Sequence, residues 1–432
     1  MDYTSFLQHI YQRHSTTVKL GLERMYILFT KMDFPNKKLK GIHIAGTNGK
    51  GSTSAICESL LIAYGNKTGL NTSPHLIDYT ERFRVNGKMI SVDNLMALYH
   101  RYSDLFEDCD ASFFEITTAL AFQYFVDEDV ESAVIEVGLG GRLDGTNPFN
   151  STISVITSIS KDHTKTLGDT LEKIAFEKAG IIKQNTPVVI GNINAGENIQ
   201  KIISDVAHEL DAPCFIFDKD YHATNIRLGR DKTTFDYEFE SLQIKLSDLE
   251  INLLGYHQAF NAATALTAFL LYMKKIDQSF DENRIRTAMK QVNWIGRLQI
   301  LSKNPYVLVD GAHNEEGVST LIKNVQQIFP DYKYHFLVSI LKDKNLDNMI
   351  KEICGVAESI YISKNPSDRA ADIQEQVDVA IACGIPYRTG EDIVELSHEC
   401  IKTLKENEML IITGSLYTIS EVLKQGINSE VS

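Results

Sequence analysis

The feature that most constrains the fold is the alternation of short strand-like segments with long helical ones. Four runs rich in β-branched residues are the strand candidates of the first half of the chain: 41–45, 133–137, 153–158 and 187–190. Stretches with helical character separate them, among them 52–64 and 112–125. Because parallel strands need a long crossover, usually a helix, this order is typical of a mainly parallel sheet covered by helices. We therefore predict an α/β fold.

The chain of 432 residues is too long for one ordinary core, which predicts more than one domain. The pattern changes in 218–249, where polar alternating segments such as Thr233–Phe239 predict hairpins appended to the first domain. An Ala- and Leu-rich helix at 258–275 is expected to close that domain.

A second series of strand candidates begins after Arg297. Its members are 306–309, 334–339, 359–362 and 409–413. We predict an N-terminal domain at 1–296, a linker at 297–301 and a smaller C-terminal α/β domain at 302–432.

Composition and charge exclude several classes of protein. The chain is 43% hydrophobic and 23% charged, which is within the globular range, and no apolar run is long enough for a membrane helix. Its 57 acidic residues against 43 Lys and Arg leave a net charge of −14, which opposes binding to the phosphate backbone of nucleic acids. We expect neither a membrane nor a nucleic acid among its partners.

The N-terminus and the cysteines indicate the compartment. Asp2, Gln8, His9 and Arg13 stand where a signal peptide would have a basic start and an apolar stretch. The six cysteines include no C-x-x-C pair, which argues against a disulfide framework and against a cysteine zinc site. We therefore expect a cytoplasmic protein.

A glycine-rich loop joins the first strand candidate to a helix. From Ala45 to Thr53 the sequence is AGTNGKGST. Glycines let backbone N–H groups turn toward an anion, and the N-terminal end of the following helix adds positive charge. Lys50 can reach the terminal phosphates of a nucleotide. This layout is that of a P-loop and predicts a site for a nucleoside triphosphate.

The loop departs from the common kinase and GTPase pattern, because Gly51 separates Lys50 from Ser52 and the first spacing is shorter. Standard P-loop kinases therefore fit less well. A turn that only caps a helix is the simpler alternative, but it does not account for a lysine and two hydroxyl groups at the tip of the loop. We favour phosphate binding.

Charged residues follow the next strand candidates. Glu136 lies at the end of a buried strand, where doubly wound sheets place metal ligands, and it can hold Mg²⁺ opposite the loop. His163 follows the next strand and is a candidate second metal contact, while Lys178 lies in a helical segment. Taken singly, such a histidine is usually a packing or surface residue and such a lysine a solvated charge. Their combination favours a site.

Together these segments resemble the folylpolyglutamate synthase and dihydrofolate synthase family of the Mur ligase superfamily. The resemblance runs nearly end to end, and its most specific parts are AGTNGKGS at 45–52, TSPHL at 72–76 with Glu81-Arg82, EVGLGGRLD at 136–144, EKAGI at 177–181 and DGAHN at 310–314. The implied fold is a P-loop-type, mainly parallel ATPase domain followed by a smaller Rossmann-like α/β domain. The implied activity is that of an ATP- and magnesium-dependent ligase that joins L-glutamate to a folate-type carboxylate.

The resemblance also implies residue roles, with Lys50, His163 and Lys178 as catalytic residues. Two Mg²⁺ ions would be held by Ser73, Glu136, His163 and a carbamate on Lys178. The positions that match the family's ATP contacts are Asn48, Gly49, Lys50, Gly51, Ser52, Asn261, Arg297 and Asp310. Those that match its pterin-binding segments are Arg82, Ser112, Phe113, Phe114, Glu115, Leu143, Asp144, Gly145 and the region before Leu20-Gly21-Leu22-Glu23-Arg24.

The implied reaction starts with attack of the pterin carboxylate on the γ-phosphate of ATP. The amine of glutamate then displaces phosphate from the resulting acyl phosphate, so no protein nucleophile is required. Lys50, the loop amides and Mg²⁺ would neutralise the charge of the transferring phosphoryl group. A carbamate on Lys178 would replace a cation that repels the metal by an oxygen ligand.

Several alternatives stay open. The chain could be a polyglutamate synthase only, or a ligase of cell-wall precursors, although the motifs at 72–76 and 113–115 favour pterins. A P-loop kinase would make no amide, and a nucleotide-sensing module would bind ATP without turnover. The expected partners are ATP, L-glutamate and a folate or dihydropteroate, and the expected state is a monomer.

Overall fold

The computed structural model describes residues 1–13, 21–193 and 195–425, which form two compact units. The first unit contains the described parts of 1–226, with 234–252 and 258–292. The second contains 227–233, 253–257 and the described residues from Asn293 onward. The domain boundaries drawn from the sequence, with a linker at 297–301, stay a prediction.

The first part of the chain supplies eleven described helices and eleven described strands. The helices are α1 (Tyr3–Gln12), α2 (Glu23–Lys31), α3 (Pro35–Lys38), α4 (Lys50–Ala63), α5 (Val92–Asp108), α6 (Phe113–Asp127), α7 (Thr164–Leu167), α8 (Leu171–Ala179), α9 (Glu197–Glu209), α10 (Tyr256–Lys275) and α11 (Glu282–Gln291). The strands are β1 (Gly41–Ala45), β2 (Thr68–Asn71), β3 (Arg84–Val85), β4 (Lys88–Met89), β5 (Ser132–Glu136), β6 (Ile153–Ile156), β7 (Val188–Ile190), β8 (Cys214–Ile216), β9 (Tyr221–Leu228), β10 (Thr233–Phe239) and β11 (Ile244–Ile251).

An eight-stranded sheet in the order β4-β3-β2-β5-β1-β6-β7-β8 organises the first unit. The pairs from β2 to β8 are parallel, and β3 and β4 join antiparallel at one edge. Strand β1 lies between β5 and β6, with Ile44 opposite Glu136 and Ala45 opposite Ile156. After β1 the chain crosses to β2, whereas β6 lies on the other side of β1. Ligands of such sheets bind at this reversal, outside the carboxyl ends of the strands.

The central strands are buried along their whole length. This holds for β1, β5 and β6, as expected where helices cover both faces of a parallel sheet. Ala133 and Ile135 of β5 pack in one hydrophobic cluster with residues of α1, α2, α5 and α6. A separate cluster joins β6 and β7 to α8 and α9. The predicted α/β architecture is confirmed.

The second unit is built on a six-stranded sheet in the order β12-β13-β17-β14-β15-β16. Its strands are β12 (Gln299–Lys303), β13 (Tyr306–Val309), β14 (Lys333–Val338), β15 (Ala357–Ser363), β16 (Tyr387–Gly390) and β17 (Glu408–Thr413). Its helices are α12 (Glu315–Ile328), α13 (Leu346–Cys354), α14 (Ile373–Cys383), α15 (Ile393–Thr403) and α16 (Leu416–Gln425). All pairs are parallel except β12 with β13.

The polar segment at 221–251 lies in the region for which the sequence predicts hairpins. It forms a separate three-stranded sheet in the order β11-β10-β9. Within the described ranges, none of the helices combines the length and the apolar character that crossing a membrane requires.

Candidate active site

The loop between β1 and α4 depends on two glycines with positive φ. Gly46 has φ 152° and Gly49 has φ 83°. A Cβ on Gly46 would collide with Thr157 Oγ1, and one on Gly49 would collide with Asn261 Oδ1. Because only glycine tolerates both the backbone conformation and the close approach, these residues set the shape of the loop.

Residues that follow β6 hold this loop through its backbone. Thr47 N donates to Ser158 O at 2.9 Å, and Asn48 N donates to Ser158 Oγ at 2.9 Å. Thr157 Oγ1 donates to Asn48 O at 2.7 Å. Gly51 and Ser52 are buried in the first turn of α4. The loop is therefore fixed from the neighbouring strand end as well as by its glycines.

Two lysines converge on one carbonyl oxygen of the loop. Lys50 Nζ donates to Gly46 O and to Thr47 O, both at 3.0 Å, and Lys178 Nζ donates to Gly46 O at 2.8 Å. The sequence separates these lysines by more than a hundred residues, yet the fold brings both to the carboxyl edge of β1. Their positive charges are concentrated where the sequence predicts a phosphate.

Lys178 has the most unusual electrostatic environment of the predicted site residues. Its side chain is fully buried, and burial followed by the charge of Lys50 lowers its pKa to about 7, against opposing effects of Asp162 and Asp144. A lysine whose pKa is lowered this far is partly neutral near pH 7. Neutral amine is the form that can react with carbon dioxide to form a carbamate.

The predicted metal ligands fall into two groups of contacts. Ser73 N donates to Glu136 Oε2 at 3.0 Å, at the carboxyl end of β5, and Glu136 is buried. His163 lies at the N-cap of α7 with its ring beside Asp162, whose charge also acts on Lys178. No three His, Cys, Asp or Glu side chains among residues 1–13, 21–193 and 195–425 form a group that could hold a metal ion. Two of the four predicted ligands, Ser73 and Lys178, are not of these residue types, so the predicted set is a different kind of group.

The remaining predicted ATP contacts lie in separate parts of the molecule. Asn261 of α10 lies against Gly49 of the loop and donates from Nδ2 to Gln258 Oε1 at 3.1 Å. In the second unit, Asp310 accepts from Leu298 N and Ala312 N, each at 2.8 Å. Burial raises the pKa of Asp310, and the Arg297 charge opposes that shift.

The predicted pterin segment at the start of α6 is tied into the fold. Ser112 is the N-cap of α6, its side chain accepts from Glu115 N, and Glu115 Oε2 accepts from Ser112 N at 2.8 Å, which is a capping box. Arg24 Nε is 3.0 Å from both carboxylate oxygens of Glu115. Glu115 therefore holds α2 to α6 in addition to any contact with substrate.

Phe114 and Asp144 shape the loop that follows β5. A Cβ on Gly138 would collide with the Phe114 ring, and one on Gly145 would lie 3.3 Å from it, so the ring covers this loop. Asp144 is buried and accepts from Leu139 N at 2.8 Å. Leu143 is half-buried beside it.

Arg82 lies among aromatic rings near the start of α6. Its guanidinium carbon is 5.2 Å from the centre of the Phe113 ring, a cation–π distance. Its Nε donates to His75 Nδ1 at 2.8 Å, and His75 Nε2 is 3.3 Å from Tyr11 Oη. Residues 14–20 lie outside the described residues, so the predicted pterin contacts before Leu20 stay a prediction.

Sequence reasoning missed several residues that build this site. The sequence predicts Thr157 and Ser158 as the end of a strand, whereas in the structure they hold the phosphate loop. The sequence analysis gives no role to Asp162, the neighbour of His163, and includes Arg24 only within a motif. A useful signal was available for Asp162, because an acid at the carboxyl end of a buried strand is a candidate functional residue in its own right.

Comparison with known proteins identifies the family of the chain. The model of the Mur ligase middle domain matches residues 44–269, and that of the Mur ligase glutamate ligase domain matches residues 296–416. The dihydrofolate synthase/folylpolyglutamate synthase of Bacillus subtilis is 35% identical over 96% of this chain and 97% of its own length. The enzyme of the same description from Escherichia coli is 29% identical over 97% of this chain and 94% of its own.

Solved structures agree over the same extent. The Mycobacterium tuberculosis folylpolyglutamate synthase complexed with ADP superposes with a TM-score of 0.91 at 29% identity, covering 99% of this chain and 98% of that one. An Escherichia coli relative in complex with DHPP and ADP has a TM-score of 0.88 at 28% identity, covering 98% and 97%. The chain therefore belongs to the dihydrofolate synthase/folylpolyglutamate synthase family of the Mur ligase superfamily and is an ATP-dependent glutamate ligase.

Proposed function

We propose that this ATP-dependent glutamate ligase uses two kinds of acceptor. It adds L-glutamate to dihydropteroate, giving dihydrofolate, and to reduced folates, giving polyglutamates. The observation that carries this proposal is that the Bacillus subtilis and Escherichia coli relatives, each named for both activities, match this chain over nearly its whole length.

The ATP site of the proposed enzyme centres on the loop between β1 and α4. The residues assigned to it are Asn48, Gly49, Lys50, Gly51, Ser52, Asn261, Arg297 and Asp310. Support comes from Lys50, whose Nζ donates to Gly46 O and Thr47 O and adds positive charge at the N-terminus of α4. The Mycobacterium tuberculosis relative, solved with ADP, supports the choice of nucleotide.

Magnesium in the proposed enzyme is held by Ser73, Glu136, His163 and Lys178, the last as a carbamate. The donor set suits a hard cation, because the buried Glu136 carboxylate lies at the carboxyl end of β5 and the lowered pKa of Lys178 makes its amine available for carbamate formation. When bound, two ions would neutralise phosphate charge and bring the acceptor carboxylate close to it.

The residues of the chain bind and orient in this reaction and form no covalent bond to the substrate. An oxygen of the pterin carboxylate attacks the γ-phosphorus of ATP, and ADP leaves. Lys50 and the loop amides stabilise the charge of the transferring phosphoryl group. The neutral amine of glutamate then attacks the acyl carbon, phosphate leaves, and the amine loses a proton.

The proposed pterin-binding segments contain Arg82, Ser112, Phe113, Phe114, Glu115, Leu143, Asp144 and Gly145. Support comes from the Phe114 ring, which covers the loop that carries Gly145, and from Arg82, which lies over Phe113. The enzyme is further proposed to act as a monomer in the cytoplasm.

Lys178→Ala tests the carbamate directly. The variant should be nearly inactive, and a short carboxylic acid in solution should restore part of the activity by supplying the missing oxygens. Lys183→Ala is the matched control, since Lys183 is also largely buried with a pKa lowered to about 8 by burial. Lys183→Ala should keep its activity without the acid. A Lys178→Ala variant that is active without the acid, or carbon-13 spectra that show a free amine at Lys178 in the active enzyme, would refute the carbamate.

One assay tests the proposal of two acceptors. The purified protein is incubated with ATP, Mg²⁺, L-glutamate and either dihydropteroate or tetrahydrofolate, and the products are identified by mass. Each acceptor should gain glutamate, and phosphate release should require glutamate. Phosphate transfer without glutamate would instead indicate a kinase.

A polyglutamate synthase without dihydrofolate synthase activity is the second candidate. It is favoured by the Lacticaseibacillus casei relative, which is named folylpolyglutamate synthase alone and is 30% identical over 98% of this chain. In the same assay this candidate predicts glutamylated tetrahydrofolate and no dihydrofolate from saturating dihydropteroate.

A further inference from the structure

A histidine in the segment between β2 and β3 contacts a buried arginine of the same segment. Arg82 is 5% exposed, and its Nε donates to His75 Nδ1 at 2.8 Å. Because the Nε–H of a guanidinium can only donate, His75 Nδ1 is the acceptor and the ring carries its proton on Nε2. That proton is donated to Tyr11 Oη of α1, 3.3 Å away. The two ring nitrogens of His75 therefore have different partners and different roles.

The backbone beside His75 is fixed by one carboxylate. Glu81 accepts hydrogen bonds at 2.7–2.8 Å from three successive backbone N–H groups, those of Leu76, Ile77 and Asp78. These bonds hold the chain directly after His75 in one conformation. A side chain on a fixed backbone can orient its partner, so the bond from Arg82 Nε to His75 Nδ1 has a defined direction.

Aromatic rings surround the guanidinium of Arg82. Its central carbon is 5.2 Å from the centre of the Phe113 ring and 6.0 Å from that of the Tyr79 ring. The His75 ring packs edge-on against Tyr79, with the ring centres 5.9 Å apart. The face of a ring attracts the positive charge without selecting one N–H group. The bond to His75 selects the Nε edge, and it thereby sets where the terminal nitrogens Nη1 and Nη2 of Arg82 point.

We propose that His75 is a positioning residue for the pterin acceptor, which orients Arg82 so that Nη1 and Nη2 bind a carboxylate of that acceptor. This inference rests on the proposed function, in which Arg82 belongs to the pterin-binding segments. An arginine binds a carboxylate through two parallel N–H groups, so the direction of its fork decides the affinity. Loss of the His75 bond should therefore weaken binding of the acceptor and leave the sites for ATP and glutamate unchanged.

The test replaces one ring nitrogen at a time in the full-length enzyme. The Oδ1 of Asn occupies the place of Nδ1, so His75→Asn can still accept from Arg82 Nε. The amide of Gln lies near the place of Nε2, and Leu has no acceptor. The KM for the pterin acceptor should rise about tenfold in His75→Leu and in His75→Gln, and should stay within about threefold of wild type in His75→Asn. The KM values for ATP and glutamate should not change in any of them.

A second measurement distinguishes positioning from a general structural effect. Arg82→Met should raise the same KM, and adding His75→Leu to it should cause no further rise, because His75 acts through Arg82. Effects of the two substitutions that multiply would overturn the proposal. Equal acceptor KM values in His75→Asn and His75→Gln would also overturn it, and this comparison holds even if His75→Leu fails to fold.

His208→Leu removes an exposed histidine of α9 and is the matched control. Its three KM values and its melting temperature should equal those of the wild type. The proposed function fails separately, if the wild type adds glutamate to no pterin acceptor. The positioning role fails if the wild type is active and the acceptor KM of His75→Leu equals that of the control.

Discussion

At the scale of single residues, two lysines define the site. Lys50 and Lys178 both donate to Gly46 O, and burial followed by the charge of Lys50 lowers the pKa of Lys178 to about 7. The sequence predicts Lys50 in the loop after the first strand candidate and Lys178 in a helical segment, and the family resemblance assigns both to one site. It could not show the burial of Lys178, because helical spacing alone is equally compatible with a solvated lysine on α8.

Lys50→Ala should abolish turnover while the melting temperature changes little, because Lys50 contacts loop carbonyls at the surface of the site rather than the core. Steady-state rates and thermal unfolding provide the measurement. Lys201→Ala, which removes an exposed lysine on α9, is the control and should behave as wild type. A variant that keeps more than about a tenth of wild-type kcat, equivalent to less than ~1.4 kcal/mol of barrier, would exclude the proposed role of Lys50.

Lys183 predicts a pH dependence of stability. Burial lowers its pKa from 10.5 to about 8, and its Nζ donates to Asn147 O at 2.7 Å. Between these two pH values the unfolded chain binds more protons at this residue than the folded chain, so its contribution to stability rises with pH there. The urea midpoint of the wild type, measured relative to that of Lys183→Met, should therefore increase between about pH 8 and pH 10. A constant difference across this range would contradict the prediction.

At the scale of elements, the phosphate loop explains two boundaries that the sequence misplaced. Helix α4 begins at Lys50 rather than at Ser52, because Gly49 adopts a left-handed conformation and acts as its N-cap. Strand β6 ends at Ile156 rather than at Ser158, because Thr157 and Ser158 leave the strand to bind the loop. Both errors come from contacts between distant segments, which local patterns do not encode.

Gly49 and Gly65 form a matched pair for testing the loop. Their φ angles are 83° and 85°, but a Cβ on Gly49 would collide with Asn261 Oδ1, whereas a Cβ on Gly65 meets nothing within 4 Å. Both alanine variants should lose about 1 kcal/mol of stability from the left-handed conformation. Only Gly49→Ala should also raise the KM for ATP and lower kcat. Unchanged kinetics in Gly49→Ala would show that this close approach is not needed for nucleotide binding.

At the scale of the whole molecule, the sequence indicated two series of strands but not their order. Strand β5 lies between β2 and β1, although β3 and β4 precede it in the chain. Strand pairing depends on burial of the complete strands and on the crossover connections, and the pattern within a single strand encodes neither. The assignment of 227–233 and 253–257 to the second unit was also beyond local patterns. It depends on contacts such as the Arg230 guanidinium, 5.3 Å from the Phe329 ring, and Tyr256 N, which donates to Asn324 Oδ1 at 2.7 Å.

We propose that the ligase activates the acceptor carboxylate as an acyl phosphate before glutamate attacks it. The most direct test uses a pterin acceptor whose carboxylate carries a heavy oxygen isotope, with ATP, Mg²⁺ and L-glutamate, and analyses the released phosphate by mass spectrometry. If the carboxylate attacks the γ-phosphate, each amide formed should transfer one carboxylate oxygen to inorganic phosphate. Phosphate that carries no label, while glutamylated product accumulates, would contradict the account.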